Sequence, residues 1–419
     1  MVKPEYKQTE IGVIPEDWKI STLEVQYNIT SSKRVFQSEW RDSGIPFYRA
    51  REIAVMGEGV PAPKGLYISE EMYERYSKQY GAIKENDVLI TGVGTLGKVY
   101  VVKKDDRFYF KDGNIIWLQW NGQYSSQFLK QLYRTPALID QVFGNSGGST
   151  VPTYTITNAK TTIVPCPDYS EQCEIAEVLS SVDTLIAVIE KQLSKKKALK
   201  QGTMQELLTG KRRLHGFNGA WQEVKLEDIC SKITDGSHES PPESDVGYYM
   251  PSVKDMRSTG FDYSECKKIS YSDFKKLERN GCQPNIGDVL IAKDGSILKY
   301  AFVQEKTENI VILSSIAIVT PHSNCVDSYF LAQYFRQQNF VEQVITNYKS
   351  GTGVPRIVLK GFKQIVLFIP ESVAEQAAIA KILVDMDTEI TGLENELAKY
   401  RQVKQGMMQQ LLTGKIRLV

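Results

Sequence analysis

The stretch EIAEVLSSVDTLIAVIEKQLSKKKALKQGTMQELLTGKRRL, residues 174–214, decides the fold because it occurs twice in the chain. The second copy, AIAKILVDMDTEITGLENELAKYRQVKQGMMQQLLTGKIRL, spans residues 378–418, at a constant distance of 204 residues and without a gap. Weaker matches continue upstream, such as DVLI at 87–90 and again at 288–291. Self-similarity of this kind marks a repeat architecture. The chain is therefore two copies of one unit, a divergent globular part followed by a closely similar helix.

Within the repeated stretch, apolar residues recur on a seven-residue grid, with Lys200 filling one slot. A sustained seven-residue period is typical of helices that wind around each other. Each helix would have roughly 40 residues and a length of ~57 Å. The alternative, a helix packed only on its own domain, leaves this length and its duplication unexplained. If a twofold relates the copies, the helices would pair antiparallel and hold the globular parts at opposite ends. The predicted pairing positions are Leu179, Val182, Ile186, Ile189, Leu193, Leu383, Met386, Ile390, Leu393 and Leu397.

Local signals mark the ends of the first helix. Ser170 is a predicted N-cap and Gly210 a predicted C-terminal stop. The globular parts contain short β-branched and aromatic segments separated by turn residues, which predict strands. The predicted fold class is α+β, with two mixed α/β globular domains in a pseudo-twofold arrangement, separated by an antiparallel coiled coil. The predicted division is residues 1–168 for the first globular domain, 169–210 for the first helix, 211–371 for the second domain and 372–419 for the second helix.

Composition excludes several classes of protein. No apolar run approaches the ~20 residues that a membrane helix needs, and the first residues, MVKPEY, contain no apolar signal core. Six scattered cysteines without a Cys-x-x-Cys pair argue against a disulfide framework or a thiolate zinc site. We expect a cytoplasmic protein without a metal or cofactor. The formal net charge of +1 argues against nonspecific wrapping of nucleic acid but leaves room for a local basic face.

The stretch ENDVLITGVGTLGKVYVV, residues 85–102, has the glycine spacing of a dinucleotide loop and most of a phosphate-binding P-loop. In the second copy, however, Gly92 becomes Lys293 and Gly97 becomes Leu298. Val99 stands where a P-loop needs Ser or Thr, and the segment that follows predicts a strand rather than a helix. The favoured interpretation is a tight turn between two strands. A nucleotide-binding enzyme that uses Gly92–Lys98 is kept as an unlikely alternative.

Other catalytic motifs are equally weak. The signature of an amino-methyltransferase, Asn-Pro-Pro-Tyr or Asp-Pro-Pro-Tyr, does not occur. A Gly-x-Ser-x-Gly motif spans Gly144–Gly148, but a helix-like segment precedes it, whereas a nucleophile elbow follows a strand. No catalytic residue is predicted, and a binding protein is the favoured interpretation.

Two similar but unequal modules on a rigid spacer suit a ligand with two unequal sites at a fixed distance. Duplex DNA is such a ligand, because modules spaced along it meet the same face about every 34–36 Å. Arginine and lysine neutralise phosphates or read guanine edges, and tyrosines lie among them here. The candidate DNA-binding residues in or beside predicted loops are Arg49, Arg51, Lys98, Tyr154, Lys160, Lys254, Lys293, Lys299 and Arg356.

The chain resembles the specificity subunits of type I restriction-modification enzymes. The resemblance rests on IGVIPEDWKISTLEV from Ile11, on the KQGxMQxLLTGKxRL ending that occurs twice, and on the alternation of globular domain and long helix. It covers essentially the whole chain, although the globular domains match only in outline. The resemblance implies two target recognition domains, each reading one half of a bipartite double-stranded DNA target, with the helices as the spacer between them.

The resemblance also implies a division of labour. The subunit itself would be non-catalytic and would recruit two methyltransferase subunits, which modify adenine, and restriction subunits, which translocate and cut DNA. The remaining alternative is a coiled-coil scaffold that binds proteins but not DNA. The target bases, the gap between the two halves, and the domain that reads each half do not follow from the sequence.

Overall fold

The computed structural model describes residues 5–144, 152–350 and 355–418. The chain forms two compact units, and the first of them combines segments from the two ends of the chain. Unit 1 consists of Met1–Ile189 and Glu396–Val419, and unit 2 consists of Glu190–Asn395. Each unit therefore contains one globular module together with segments of both long helices.

The elements of secondary structure are short except for two helices of 39 residues each. The strands are β1 (Tyr6–Thr9), β2 (Gly12–Pro15), β3 (Lys19–Thr22), β4 (Tyr27–Thr30), β5 (Ile45–Tyr48), β6 (Leu66–Ile68), β7 (Val88–Thr91), β8 (Val99–Val101), β9 (Tyr109–Phe110), β10 (Ile115–Trp120), β11 (Ile163–Cys166), β12 (Trp221–Lys225), β13 (Cys230–Asp235), β14 (Tyr248–Tyr249), β15 (Lys268–Ile269), β16 (Val289–Ala292), β17 (Ala301–Val303), β18 (Ile316–Pro321) and β19 (Val366–Pro370). The α-helices are α1 (Leu23–Gln26), α2 (Ala50–Gly57), α3 (Glu70–Tyr80), α4 (Ser126–Leu132), α5 (Pro136–Gly144), α6 (Ile156–Thr161), α7 (Tyr169–Leu207), α8 (Tyr271–Arg279), α9 (Ser328–Tyr334), α10 (Gln338–Tyr348), α11 (Leu359–Lys363) and α12 (Val373–Leu411). Single 3₁₀ turns lie at Gln37–Glu39, Leu226–Asp228 and Val253–Asp255.

Both modules are built on the same four-stranded antiparallel sheet. The strand order is β4-β10-β7-β8 in unit 1 and β13-β18-β16-β17 in unit 2. The central strands β7 and β16 are buried along their whole length, because the apolar sequences VLIT and VLIA face neighbours on both sides. Two-stranded and three-stranded sheets surround this frame, including the parallel pair of β5 with β9. The prediction of mixed α/β modules is thus confirmed.

The core of each module is completed by the ends of two helices. In unit 1, Leu179 from the start of α7 and Leu411 from the end of α12 lie in one buried cluster with the sheet residue Ile90. In unit 2, Leu383 from the start of α12 and Leu207 from the end of α7 join Ile291 in the same way. Each module therefore packs against the helix of its own repeat and against the helix end of the other repeat. The predicted packing on a second helix and the alternative, packing on the helix's own domain, therefore occur together.

The helix segments run antiparallel within each unit, as predicted. In unit 1, Glu171 pairs with Arg417 and Asp183 with Lys404. Residue numbers thus rise along one segment while they fall along the other. In unit 2, Lys200 pairs with Asp387, and Arg213, just beyond the end of α7, pairs with Glu375. All the positions predicted for helix pairing are buried or half-buried in the structure.

The predicted helix ends are partly right. Gly210 and its counterpart Gly414 follow the two helices with φ of 70° and 67°, the left-handed conformation that ends a helix and that glycine adopts without strain. Ser170 is wrong as an N-cap, because α7 already begins at Tyr169 and the Gln172 N–H donates to the Asp168 carbonyl. Within the described ranges, no helix combines the length and the apolarity required to span a membrane.

Candidate nucleic-acid interface

Three segments of unit 1 meet at one edge of the central sheet. The first is the start of α2, where the Arg49 N–H donates to the Glu52 carboxylate at 2.9 Å. The second is the turn between β7 and β8, which form an antiparallel hairpin. The third begins at Pro152 and is joined to this turn by the Tyr154 N–H, which donates to the Gly92 carbonyl at 2.9 Å. Because α2 also packs on β7 and β8, the three segments form one surface.

The turn between β7 and β8 settles the question raised by its glycines. Gly94 and Gly97 have φ of 79° and 70°, so glycine is needed there for its backbone conformation. A strand, β8, follows the turn, whereas a nucleotide-binding loop leads into a helix. The interpretation as a strand-to-strand turn is confirmed. Of the Gly-x-Ser-x-Gly motif at residues 144–148, all but Gly144 lies outside the described residues.

The corresponding three segments meet in unit 2. The Val253 N–H donates to Ser315 Oγ at 3.1 Å, and the Lys293 N–H donates to the carbonyl of the same serine at 3.0 Å. The Ile357 N–H in turn donates to the Lys293 carbonyl at 3.0 Å. These bonds join the 3₁₀ turn Val253–Asp255, the loop after β16 and the segment that begins at Pro355. The sequence repeat thus reproduces the geometry of the surface as well as the sheet.

Several of the predicted DNA-binding residues project from these segments. Arg51 and Lys254 are exposed and occupy equivalent places, each two residues after the residue that caps its turn. Lys299 is exposed and lies over the Tyr300 ring at 5.2 Å. Arg356 is exposed and its backbone pairs with Asp294 and Ser350.

Two other predicted residues are held by carboxylates. The Arg49 guanidinium lies 3.1 Å from Glu52. Burial disfavours ionisation of Glu52, but the hydrogen bonds from Arg49 outweigh it and lower the pKa of the carboxyl. Lys98 is paired with Glu58 at 2.7 Å, and this bond lowers the pKa of Glu58. A ligand that binds either cation must therefore compete with the carboxylate that already pairs with that cation.

The structure places Tyr154 and Lys293 inside their modules rather than at the surface. Tyr154 is 2% exposed, and its hydroxyl lies 2.9 Å from the Tyr133 hydroxyl and 2.6 Å from Thr162 Oγ1. Burial raises the pKa of this tyrosine. Lys293 is 4% exposed, with its amine 3.3 Å from Asp235. Lys160 is exposed on α6, which packs against α1 and β4.

Sequence reasoning missed an ion cluster that ties each module to the paired helices. In unit 2, the Asp387 carboxylate accepts hydrogen bonds from Lys200 at 2.6 Å, Gln333 at 2.7 Å and Arg336 at 2.8 Å. Burial, and then Arg336, lower the pKa of Lys200 to about 8. The sequence does contain a signal for this cluster, because Lys200 interrupts the seven-residue apolar pattern and Asp387 is the counterpart of Asp183 at the repeat distance of 204 residues.

Known proteins resemble the chain in sequence and in fold. The family model described as type I restriction modification DNA specificity domain matches residues 15–197 and 218–403. A putative type I restriction enzyme specificity subunit, MjaX of Methanocaldococcus jannaschii, is 24% identical over 433 residues, covering 99% of this chain and 97% of the relative.

Two solved structures share the fold. The S subunit of a type I restriction-modification system from M. genitalium has a TM-score of 0.62 at 15% identity, covering 94% of this chain and 96% of its own. A chain from a study of complex assembly and conformational transition in the type I system has a TM-score of 0.52 at 16% identity, covering 96% and 99%.

Proposed function

The chain belongs to the type I restriction-modification DNA specificity family, and we propose that it selects the DNA target by reading a bipartite, asymmetric sequence with its two modules. Each module would read one half of the target. The paired helices would set the number of base pairs between the halves. Catalysis would lie with the partners, two methyltransferase subunits and the restriction subunits that the chain recruits.

One observation carries this proposal, which is that the two modules share a frame but present different side chains on it. Arg51 and Lys254 keep a positive charge at the same place, as a sequence-independent phosphate contact requires. At the capping position before them, Arg49 in one module is replaced by Ser252 in the other. Such differences suit the reading of unlike base edges, since an arginine pairs with guanine through two hydrogen bonds.

We propose that DNA binds to the surface that the three segments form in each module. Its cations are the exposed Arg49 and Arg51 and the half-buried Lys98 in unit 1, and the exposed Lys254, Lys299 and Arg356 in unit 2. Tyr154 and Lys293 are left out of this set, because their side chains are occupied by partners inside the modules. Lys160 is also left out, because its helix packs on other elements.

Selection from a random double-stranded DNA library tests the proposal. The chain together with its methyltransferase partner is expected to enrich two short motifs with a fixed gap. Exchanging residues 1–165 for those of a relative is expected to change one motif and to leave the other motif and the gap unaltered. A scaffold that binds only proteins would enrich no motif, and a change in both motifs on exchange would contradict the assignment of one half to each module.

A further inference from the structure

Unit 1 contains a cavity of about 670 Å³ beside the turn between β7 and β8. We call it the Lys130 cavity. Its wall is formed by the turn residues 94–98, by Glu58 after α2, by Lys130 and Arg134 at the end of α4, and by apolar side chains of α5. This is the place where the sequence carries most of a phosphate-binding loop.

The charges on this wall are unbalanced. Three cations, Lys98, Lys130 and Arg134, face one carboxylate, that of Glu58. Lys98 lies 2.7 Å from this carboxylate and Arg134 lies 3.9 Å from it. Arg134 also pairs with Asp183 at 2.8 Å. The cavity therefore has an excess of positive charge and attracts anions.

Lys130 is the cation without a direct ionic partner. In the described part of the chain, its side-chain amine makes no hydrogen bond and no ion pair, and the carboxylates of Asp183 and Glu58 act on its pKa only from a distance. Its side chain is half-buried, and burial lowers its pKa, with a further lowering from the neighbouring Arg134. A charged amine held in such a place is stabilised by an anion that enters the cavity.

The turn adds backbone donors to these side chains. Among the described residues, the N–H groups of Thr95 and Leu96 have no acceptor. Successive N–H groups in a turn with left-handed residues form a concave site for oxyanions. The equivalent turn of unit 2 has the same bridge to the last segment of its module, with the Gly295 N–H bonded to the Pro355 carbonyl at 2.8 Å.

Unit 2 lacks these charges. The position that corresponds to Lys130 is Ala332, which lines a cavity of about 540 Å³. The remaining cation there, Arg336, is bonded to Asp387 at 2.8 Å. The arrangement is therefore specific to one module and does not follow from the shared fold.

We propose that the Lys130 cavity binds the phosphate groups of a nucleotide, through Lys98, Lys130, Arg134 and the N–H groups of the turn. Ile139 and Phe143 supply an apolar wall beside these groups, which suits a sugar or a base. The nucleotide is either free in solution or part of a DNA strand. Binding of a free nucleotide is independent of the proposed function, whereas binding of a backbone phosphate rests on it.

Two substitutions of opposite effect test the site in the full chain. Lys130→Gln removes a charge-assisted hydrogen bond and is expected to weaken binding about tenfold. Glu58→Gln removes the competing carboxylate and is expected to strengthen binding by a factor of about three to ten. Lys104→Gln removes an exposed charge of the same unit outside the cavity and is the matched control. Circular dichroism melting checks that each variant folds.

Each variant is titrated with ATP by calorimetry and with a random 30-base-pair duplex by fluorescence anisotropy. Opposite responses to ATP identify a free nucleotide as the ligand. Opposite responses to the duplex, with a salt dependence reduced by about one ion in Lys130→Gln, identify a backbone phosphate. The proposal is overturned if both affinities are the same in Lys130→Gln, Glu58→Gln and the control. Neither result depends on motif enrichment, so this failure is distinct from a failure of the proposed function.

Discussion

The same ion cluster occurs in both units but is buried to different depths. In unit 2, the Asp387 side chain is 11% exposed and accepts from Lys200 and Arg336. In unit 1, the equivalent Asp183 is 32% exposed and accepts from Lys404 at 2.5 Å and from Arg134. In both units, burial disfavours the charged carboxylate, but the cations outweigh it and lower the pKa of the aspartate.

The difference in burial shows that the two copies share the helix residues of the cluster but not the residues around them. The helix residues of the cluster keep their partners, because their spacing is fixed by the repeated helix. The surroundings belong to the modules, which have diverged. Arg134 is therefore shared between Asp183 and Glu58, whereas Arg336 pairs with Asp387. The same ion cluster is therefore buried in unit 2 and more exposed to solvent in unit 1.

The largest expected effect comes from removing the aspartate at the centre of each cluster. Asp387→Asn leaves Lys200 and Arg336 buried side by side without a counter-charge, which costs about 3–5 kcal/mol. Asp183→Asn is expected to cost about 1 kcal/mol, because its partners are better hydrated. Urea unfolding of both variants, followed by tryptophan fluorescence, measures the two losses. Equal losses would show that the depth of burial does not distinguish the clusters.

The second expected effect is a dependence of stability on pH that arises from Lys200 in the buried cluster of unit 2. The pKa of Lys200 is lowered to about 8, so between pH 8 and about 10 the unfolded chain holds a proton that the folded chain has lost. Stability therefore rises with pH in this window by the linkage relation, by about 2 kcal/mol. Lys200→Met is expected to lose this rise.

Other groups titrate in the same range, so the quantity to measure is the difference in stability between wild type and Lys200→Met at pH 7 and at pH 10. Lys299→Met, which removes an exposed lysine of the same unit, is the control. A difference that stays constant with pH would contradict the lowered pKa of Lys200.

The comparison also explains how much the sequence could predict. The paired helices were predictable because their seven-residue period is local and occurs twice. The turn at Gly92–Gly97 was predictable because the second copy lacks two of its glycines. The surroundings of Tyr154 and Lys293 were not, because they depend on partners distant in sequence, such as Tyr133 and Asp235. The direction of a loop side chain is set by tertiary contacts that no local pattern records.

The smallest expected effect concerns two equivalent tryptophans near the helix ends. Each lies under an arginine, Trp18 under Arg417 at 5.8 Å and Trp221 under Arg213 at 5.7 Å. Trp18 Nε1 donates to Glu171 at 3.1 Å, whereas Trp221 Nε1 is buried without a partner in the described part of the chain. The two sites therefore share the cation–π contact and differ in one hydrogen bond.

Replacing each tryptophan by phenylalanine isolates that bond. Trp18→Phe loses the hydrogen bond to Glu171, while Trp221→Phe removes a buried donor that has no acceptor. Since a hydrogen bond to a charged group contributes about 1.5–3 kcal/mol, Trp18→Phe is expected to destabilise by at least about 1.5 kcal/mol more than Trp221→Phe, which loses no hydrogen bond. Urea unfolding of the two variants measures the difference. If Trp221→Phe were the more destabilising change, the indole of Trp221 would have an acceptor in solution, and the two helix ends would be equivalent after all.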